Sequence, residues 1–460
     1  MKKTILKLCL LLVSTVAFSQ AGHIMQGVGA VNMSMGGAST AQPLDISGAL
    51  QWNPASISAF DNKIIKFDIG LFFSSPELSS TVPTPGGPFS GTTEDDRPLS
   101  PMPAFAMVWG NKDSKHTFGV SAFGISGFGV TFPENFTNPI SFPQSPDGTG
   151  GFGHVESDYI LLQIGGTWAY ELSDKFSIGI EPTINYATLE LAPNPLSPPD
   201  FPAAFGGTGK GYPNSDKATA IGFGAQIGLF YDSGTGFKAG ASYKTSQSFS
   251  DFDFENTYLD GSTAPDVSFQ MDYPAILSFG LGYSKGDIDI ALDYRMVDYE
   301  NTSGFGEKGW AFGSNGFPTG AVNGFGWENM DIISAGIQYK GIDKLPLRFG
   351  YTYSSNPINN ELAFFSIPAT AVIKNAFQFG FSYEASDNLS LDLVYHHGES
   401  DGKTEGPLLN PLNITPTNPF GAVPGTSVSY EMTTSMIMVG VSYTFNKKEV
   451  TVNEDEKEDN

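Results

Sequence analysis

The chain has 460 residues, a formal net charge of -24, and charged side chains at only 16% of its positions. Acidity on this scale repels phosphate backbones and excludes nucleic acid as a partner. A charged fraction below the roughly 25% usual in soluble domains, together with 54 glycines and 13% aromatics, favours strands and turns over helices. At the start, Lys2, Lys3 and Lys7 precede the apolar run Leu8–Val13 and the small residues Ala17 and Ser19. This is the layout of a secretory signal, so Met1–Ser19 is expected to be removed; the run is too short to span a bilayer as a helix. Cys9 lies inside it. The mature chain is therefore expected to lack cysteine, which excludes disulfides, thiolate metal sites and cysteine catalysis.

From Gln20 to Phe60 the chain is rich in Gly, Ala and Ser, carries almost no charge beyond Asp45, and shows no sustained alternation. Small residues allow close packing against a surrounding wall, and Asn53-Pro54 reads as a turn because proline removes a donor and restrains the residue before it. A compact, irregular plug is expected here.

No later apolar run is long enough for a transmembrane helix. Instead, fourteen segments approach the roughly 9–11 residues that a tilted membrane strand needs. They open with Lys63–Phe73, Met102–Trp109 and Thr117–Gly129, include Gly236–Phe249 and Ile288–Tyr299, and close with Val428–Phe445. Their connections alternate. Short ones such as Leu172–Lys175 and Ala385–Asn388 are followed by long ones such as Ser74–Pro101, Val130–Ser157 and Ser250–Met271. Short periplasmic turns and long extracellular loops predict an up-and-down, 14-stranded antiparallel transmembrane β-barrel in a Gram-negative outer membrane.

Strands that precede short turns end in Trp109, Tyr170, Tyr231, Tyr283, Tyr339, Tyr383 or Tyr443, and five of these follow a glycine three residues earlier: Gly228, Gly280, Gly336, Gly380 and Gly440. At that spacing ring and glycine face opposite sides, so the rings form a girdle at one lipid boundary. In Ile288–Arg295 the apolar Ile290, Leu292 and Tyr294 oppose Asp289, Asp293 and Arg295, and Asp392 lies on the same kind of polar face. Asp289, Asp293, Arg295 and Asp392 are expected to line the lumen and to pair there. The closing strand ends at Phe445, an aromatic of the kind the barrel-assembly machinery reads, and the acidic Asn446–Asn460 is expected to be a disordered periplasmic tail. No polar stripe on the outward faces demands a partner subunit, and a monomer is expected.

Met35–Phe60, with Asn53, Pro54 and Ala55 as an Asn-Pro-Ala motif, resembles the N-terminal hatch of the FadL/TodX-type outer-membrane transporters for fatty acids and other hydrophobic compounds. The resemblance continues through Phe118–Phe136, Ile160–Tyr186 and Ile221–Gly234. It implies passive uptake of a hydrophobic small molecule without a cofactor. Capture would fall to the third and fourth long loops, at Leu196, Phe201, Phe205, Phe252 and Phe254. A kink in the third strand at Gly124, Gly127 and Gly129 would make a lateral opening to outer-membrane lipids, where strand-interior glycine also marks a bulge.

Enzymatic signatures are weak. Gly27-Val28-Gly29 lacks the rest of a dinucleotide fingerprint, Gly206–Tyr212 is not a phosphate loop, and the five histidines do not cluster at ligand spacing. The rival readings are a general porin for small polar solutes and a structural or adhesive surface barrel.

Overall fold

The computed structural model describes residues 23–144 and 150–445. The expected signal segment and acidic tail lie outside these residues, as does the side chain of Phe205. Fourteen strands form the wall: β1 (Lys63–Thr84), β2 (Ser100–Trp109), β3 (His116–Phe132), β4 (Val155–Ser173), β5 (Phe176–Ala192), β6 (Ala218–Asp232), β7 (Phe237–Lys244, resuming at Ser248–Phe249), β8 (Ala275–Lys285), β9 (Ile288–Asp298), β10 (Met330–Tyr339), β11 (Leu347–Ser354), β12 (Asn375–Glu384), β13 (Leu389–Glu399) and β14 (Ser427–Phe445). Each pairs antiparallel with its neighbours in sequence, and β1 pairs with β14 from Lys63↔Phe445 to Thr81↔Ser427, which closes the barrel. Pairing of β1 with β14 removes the two outer edges the sheet would otherwise expose to hydrocarbon.

Period-two alternation does the sorting. Along β9, Ile290, Leu292 and Met296 are about half exposed on the outside, whereas Asp289, Asp293 and Arg295 are almost fully enclosed. The same holds around the wall, where Ile184, Phe223, Leu229, Phe279, Phe379 and Ile437 all face outward. A continuous apolar belt of this kind is stable only against lipid. Trp109, Tyr283, Tyr339, Tyr383 and Tyr443 sit exposed at the short-turn end, as the sequence predicts.

The strands overrun their expected limits at the other end. β1 continues past Phe73 to Thr84 and turns through Gly87 into a strand at Gly87–Glu94, so the Ser- and Pro-rich Ser74–Pro101 is largely a hairpin rather than a loop. Hairpins also occupy Phe252–Thr257 with Thr263–Phe269, and Trp310–Phe312 with Pro318–Val322. These pieces stand beyond the lipid, so their outward positions are polar and the alternation that marks the wall is missing from the sequence.

Candidate functional site: the lumen and the break in its wall

Residues 23–60 pack against the inward faces of the strands. Two short helices form there, α1 (Ala30–Ser34) and α2 (Ile46–Trp52), followed by a 3-10 turn at Pro54–Ala59. Asp45 caps α2 by accepting from the Gly48 N–H at 3.1 Å, and Asn53 ends α2 and caps the 3-10 turn through the Ala55 N–H at 3.1 Å. The Asn53 amide also donates to the carbonyls of Thr40 at 2.7 Å and of Leu229 on β6 at 2.9 Å. Asn53 thus joins the segment to the wall.

Room for this packing comes from glycine. A Cβ at Gly228 would overlap Asn53, one at Gly336 would press on Met35, one at Gly380 on Ser34, and one at Gly350 on the backbone of Gly36. Of the inward glycines paired with the girdle rings, Gly228, Gly280, Gly336 and Gly380 are positions where the segment touches the sheet, whereas Gly440 faces Asp68 of the wall.

Buried charges hold it in place. Asp293 accepts from the N–H groups of Ser39 and Thr40, both at 2.9 Å, and from the Thr40 hydroxyl at 2.7 Å. Arg295 pairs with Asp293 at 2.7 Å, donates to the Gly37 carbonyl at 2.6 Å, and lies 3.7 Å over the Trp52 ring. Nearer the short turns, Lys66 is surrounded by Asp392 at 2.7 Å, Asp45 at 3.0 Å and Asp68 at 3.7 Å, and Asp68 accepts from the Ala30 N–H at 2.8 Å. Asp289 takes no part in holding the segment; it pairs with Lys340 at 2.9 Å and Gln338 at 2.7 Å. The cavity at this end, about 290 Å³, is lined by Lys66, Arg348, Lys340, Asp45, Asp392 and Glu384. Val31, Leu44, Ile46, Phe60, Ile64 and Leu389 also line it, so any apolar surface there lies among charged groups.

The long-loop half of the lumen is different. Phe123, Phe132, Tyr159, Tyr273, Tyr299, Phe305, Phe325 and Trp327 are buried there in one cluster with Leu50 and Trp52. Here the wall is interrupted. β3 pairs with β2 only from Phe118 to Phe123, although it runs on beside β4 to Phe132. Its register with β4 shifts between Gly124 and Ser126, leaving Ile125 as an extra residue. Into the vacated edge comes the start of the N-terminal segment: Ile24 pairs with Ser126, the Met25 N–H donates to the Ile125 carbonyl at 3.0 Å, and the Gly127 N–H donates to the His23 carbonyl at 3.1 Å. Beyond it, Arg97 crosses Gly129, where a Cβ would strike its guanidinium, and donates to the Ser157 carbonyl at 2.8 Å and to Asp158 at 2.5 Å. A cavity of about 50 Å³ lies in the interruption, between Phe72, Met102, Gly127, Phe128, Tyr159 and Met432.

Above the lumen, the long loops enclose a groove of about 290 Å³ lined by Phe152, Phe201, Tyr212, Trp310, Phe364 and Leu412. A second cavity of about 420 Å³ adjoins it along Phe152, Phe364 and Leu409. Asp200 at the rim is held below the usual carboxylate range by the Thr208 hydroxyl and by the N–H groups of Thr208 and Lys210. Of the residues expected to capture ligand, Phe201 lines this groove. Leu196, Phe252 and Phe254 are buried in the large cluster instead, because alternate residues of the Phe252–Thr257 hairpin face inward. The fourth loop supplies no lining residue. Phe152, Trp310 and Phe364, on the second, fifth and sixth long loops, went unnoticed because isolated aromatics in Pro- and Gly-rich stretches carry no periodic signal.

A closed antiparallel barrel with an apolar belt, an aromatic girdle and a filled lumen is an outer-membrane protein. The family profile described as outer membrane protein transport protein (OMPP1/FadL/TodX) matches residues 10–446, and the chain belongs to that family. It is a transport protein of the Gram-negative outer membrane and not an enzyme. In fold it is similar to the toluene transporter TodX of P. putida, with a TM-score of 0.65 at 17% identity over 91% of this chain and 99% of that one. It is equally similar to a Pseudomonas aeruginosa FadL homologue, with a TM-score of 0.68 at 14% identity over 92% of this chain and 100% of that one. The toluene transporter TbuX of Ralstonia pickettii follows, at 0.57 and 18% over 91% and 99%. No curated protein sequence matches the chain.

Proposed function

We propose that the chain, after loss of Met1–Ser19, mediates passive uptake of hydrophobic molecules, fatty acids or hydrocarbons, by lateral diffusion. The ligand partitions into the groove around Phe152, Phe201 and Phe364, passes to the aromatic half of the lumen, and leaves through the break beside Gly124, Gly127 and Gly129 into the membrane. Residues 20–60 act as the hatch, and its leading residues must withdraw from β3 before the side opens. No energy source is needed, because each stage is a transfer between apolar surroundings.

One observation carries this reading: the aromatic half of the lumen borders the break in the wall, whereas the way to the short-turn end passes through buried charges. Burying an alkyl chain or ring beside Lys66 and Asp392 would strip those groups of their partners. The toluene transporters of similar fold handle monoaromatic hydrocarbons, by their names, and a ligand of that size suits the cavities here.

The test is a cross-link. Ile24 and Ser126 face each other across the break; the variant Ile24→Cys with Ser126→Cys locks the hatch to β3 when oxidised. Uptake of a radiolabelled hydrocarbon by cells should fall at least tenfold on oxidation and return on reduction. Undiminished uptake by the oxidised form rules out exit at this position.

A further inference from the structure

His23 is enclosed by six aromatic rings. Phe305 stacks on its imidazole at 4.5 Å and 18° between planes. Tyr299, Tyr273, Trp327, Tyr159 and Phe128 surround it at 5.4, 5.8, 5.8, 6.0 and 6.4 Å. The Tyr299 hydroxyl and His23 Nδ1 are 2.7 Å apart, but among the described residues Nε2 has no hydrogen-bond partner, and neither do the hydroxyls of Tyr159 and Tyr273. All four side chains are almost fully buried. A histidine kept only for stability would be expected to satisfy both nitrogens, and three orphaned polar atoms around one ring are a standing cost. The apolar walls accept the imidazole as a flat ring; the polar atoms are left waiting for something else.

We infer that this cage is a binding subsite for single-ring aromatic compounds bearing a hydroxyl, and that the His23 ring occupies it as an internal competitor until such a ligand arrives. The inference deepens the transport reading above and rests on it. Size sets the first limit: withdrawing one imidazole leaves space for one six-membered ring, and the adjoining cavity, which shares Phe128 and Tyr159 with the cage, adds about 50 Å³ for a small substituent. A straight acyl chain would leave the ring faces poorly covered. Polarity sets the second limit. A phenolic hydroxyl donates and accepts, so it can pair with Tyr159 or Tyr273, whereas toluene leaves both unsatisfied. Among the described residues the His23 carbonyl is held by the Gly127 N–H at 3.1 Å and the Ser126 hydroxyl at 2.9 Å, and its ring by the Tyr299 hydroxyl at 2.7 Å, so the exchange breaks three hydrogen bonds. Losing those bonds frees the same residues that close the break in the wall, so ligand entry and side opening become one event.

The experiment uses full-length protein purified in detergent, with p-cresol, toluene and palmitate as probes and Trp327 fluorescence as readout. Wild type should bind p-cresol at least tenfold more tightly than toluene. His23→Ala should tighten p-cresol binding about tenfold, and Tyr159→Phe combined with Tyr273→Phe should abolish the preference over toluene. A crystal of wild type soaked with p-cresol should show its ring in place of the imidazole, a result that does not depend on any variant folding. Equal binding of cresol and toluene, or a soaked crystal with cresol elsewhere and His23 unmoved, overturns the subsite. If hydrocarbon uptake by cells persists alongside that result, the transport reading stands without the subsite. If uptake is absent while cresol displaces His23, the subsite stands and the transport reading falls.

Discussion

The N-terminal segment is fastened in two ways, by buried charges around its helices and by hydrogen bonds and packing at its tip. Around α1 and α2 it is tied by enclosed charges: Asp293 gathers Ser39, Thr40 and Arg295, and Lys66 gathers Asp45, Asp68 and Asp392. Separating such groups exposes an unpaired buried charge, at a cost of about 3–5 kcal/mol. The leading tip, His23–Met25, is held by hydrogen bonds to β3 and to the Tyr299 hydroxyl, by ring contacts, and by the apolar packing of Ile24 and Met25. Each of those bonds contributes a net ~1 kcal/mol. On the proposed exit route the tip is the part that a ligand would have to release, with the charge-tied helices left seated.

The largest effect is expected at Lys66. Replacing it in Lys66→Met leaves three buried carboxylates without their cation, and folded-barrel stability in denaturant titration should fall by about 3–5 kcal/mol; a loss under about 1 kcal/mol would show that water already screens the cluster. Next come the glycines. In Gly350→Ala the new methyl meets the backbone of Gly36, which cannot swing aside, and about 1–3 kcal/mol should be lost. Gly124→Ala beside the tip meets nothing closer than 3.5 Å and should be nearly neutral, so the two variants together map where the fit is tight.

Smaller effects sharpen the picture at the tip. Ser126→Ala removes one bond to the His23 carbonyl, and hydrogen exchange at Met25 should accelerate about fivefold, in line with ~1 kcal/mol. If exchange there is unchanged, the tip is held by its ring contacts alone. A pH-dependent change is expected at Asp95, whose carboxylate accepts from the Thr131 N–H above the break. Burial raises it to about 6 from 3.8, against the pull of that bond. The folded protein therefore binds a proton that the unfolded chain has released between those values, so this contribution to stability grows as pH falls from about 6 towards 4. Asp95→Asn should flatten that part of the stability profile, and an unaltered profile would place the acid response elsewhere.

Much of the wall was legible because a membrane strand repeats every two residues. Ile290, Leu292 and Tyr294 against Asp289, Asp293 and Arg295 fix both faces of β9 without any knowledge of its neighbours. The sorting of short and long connections supplied the number and direction of strands. The extramembrane hairpins escaped, since Ser74–Thr84 is flanked by water on its outer side and has no apolar periodicity to betray it. The lumenal site was harder still. His23 lies in a stretch without pattern, and Tyr159, Tyr273, Tyr299 and Trp327 come from widely separated segments whose inward direction depends on local register.

The sequence by itself determined what must repeat: the alternating faces, the girdle, the inward glycines and the polar lumen, because contact with lipid imposes the same requirement on every strand. Only the tertiary structure decided what sits inside. The meeting of His23 with its cage, the pairing of Ile24 with the bulged β3, and the clustering of three carboxylates on Lys66 depend on closing the barrel around the segment. That long-range event brings together residues whose local sequences carry no trace of one another.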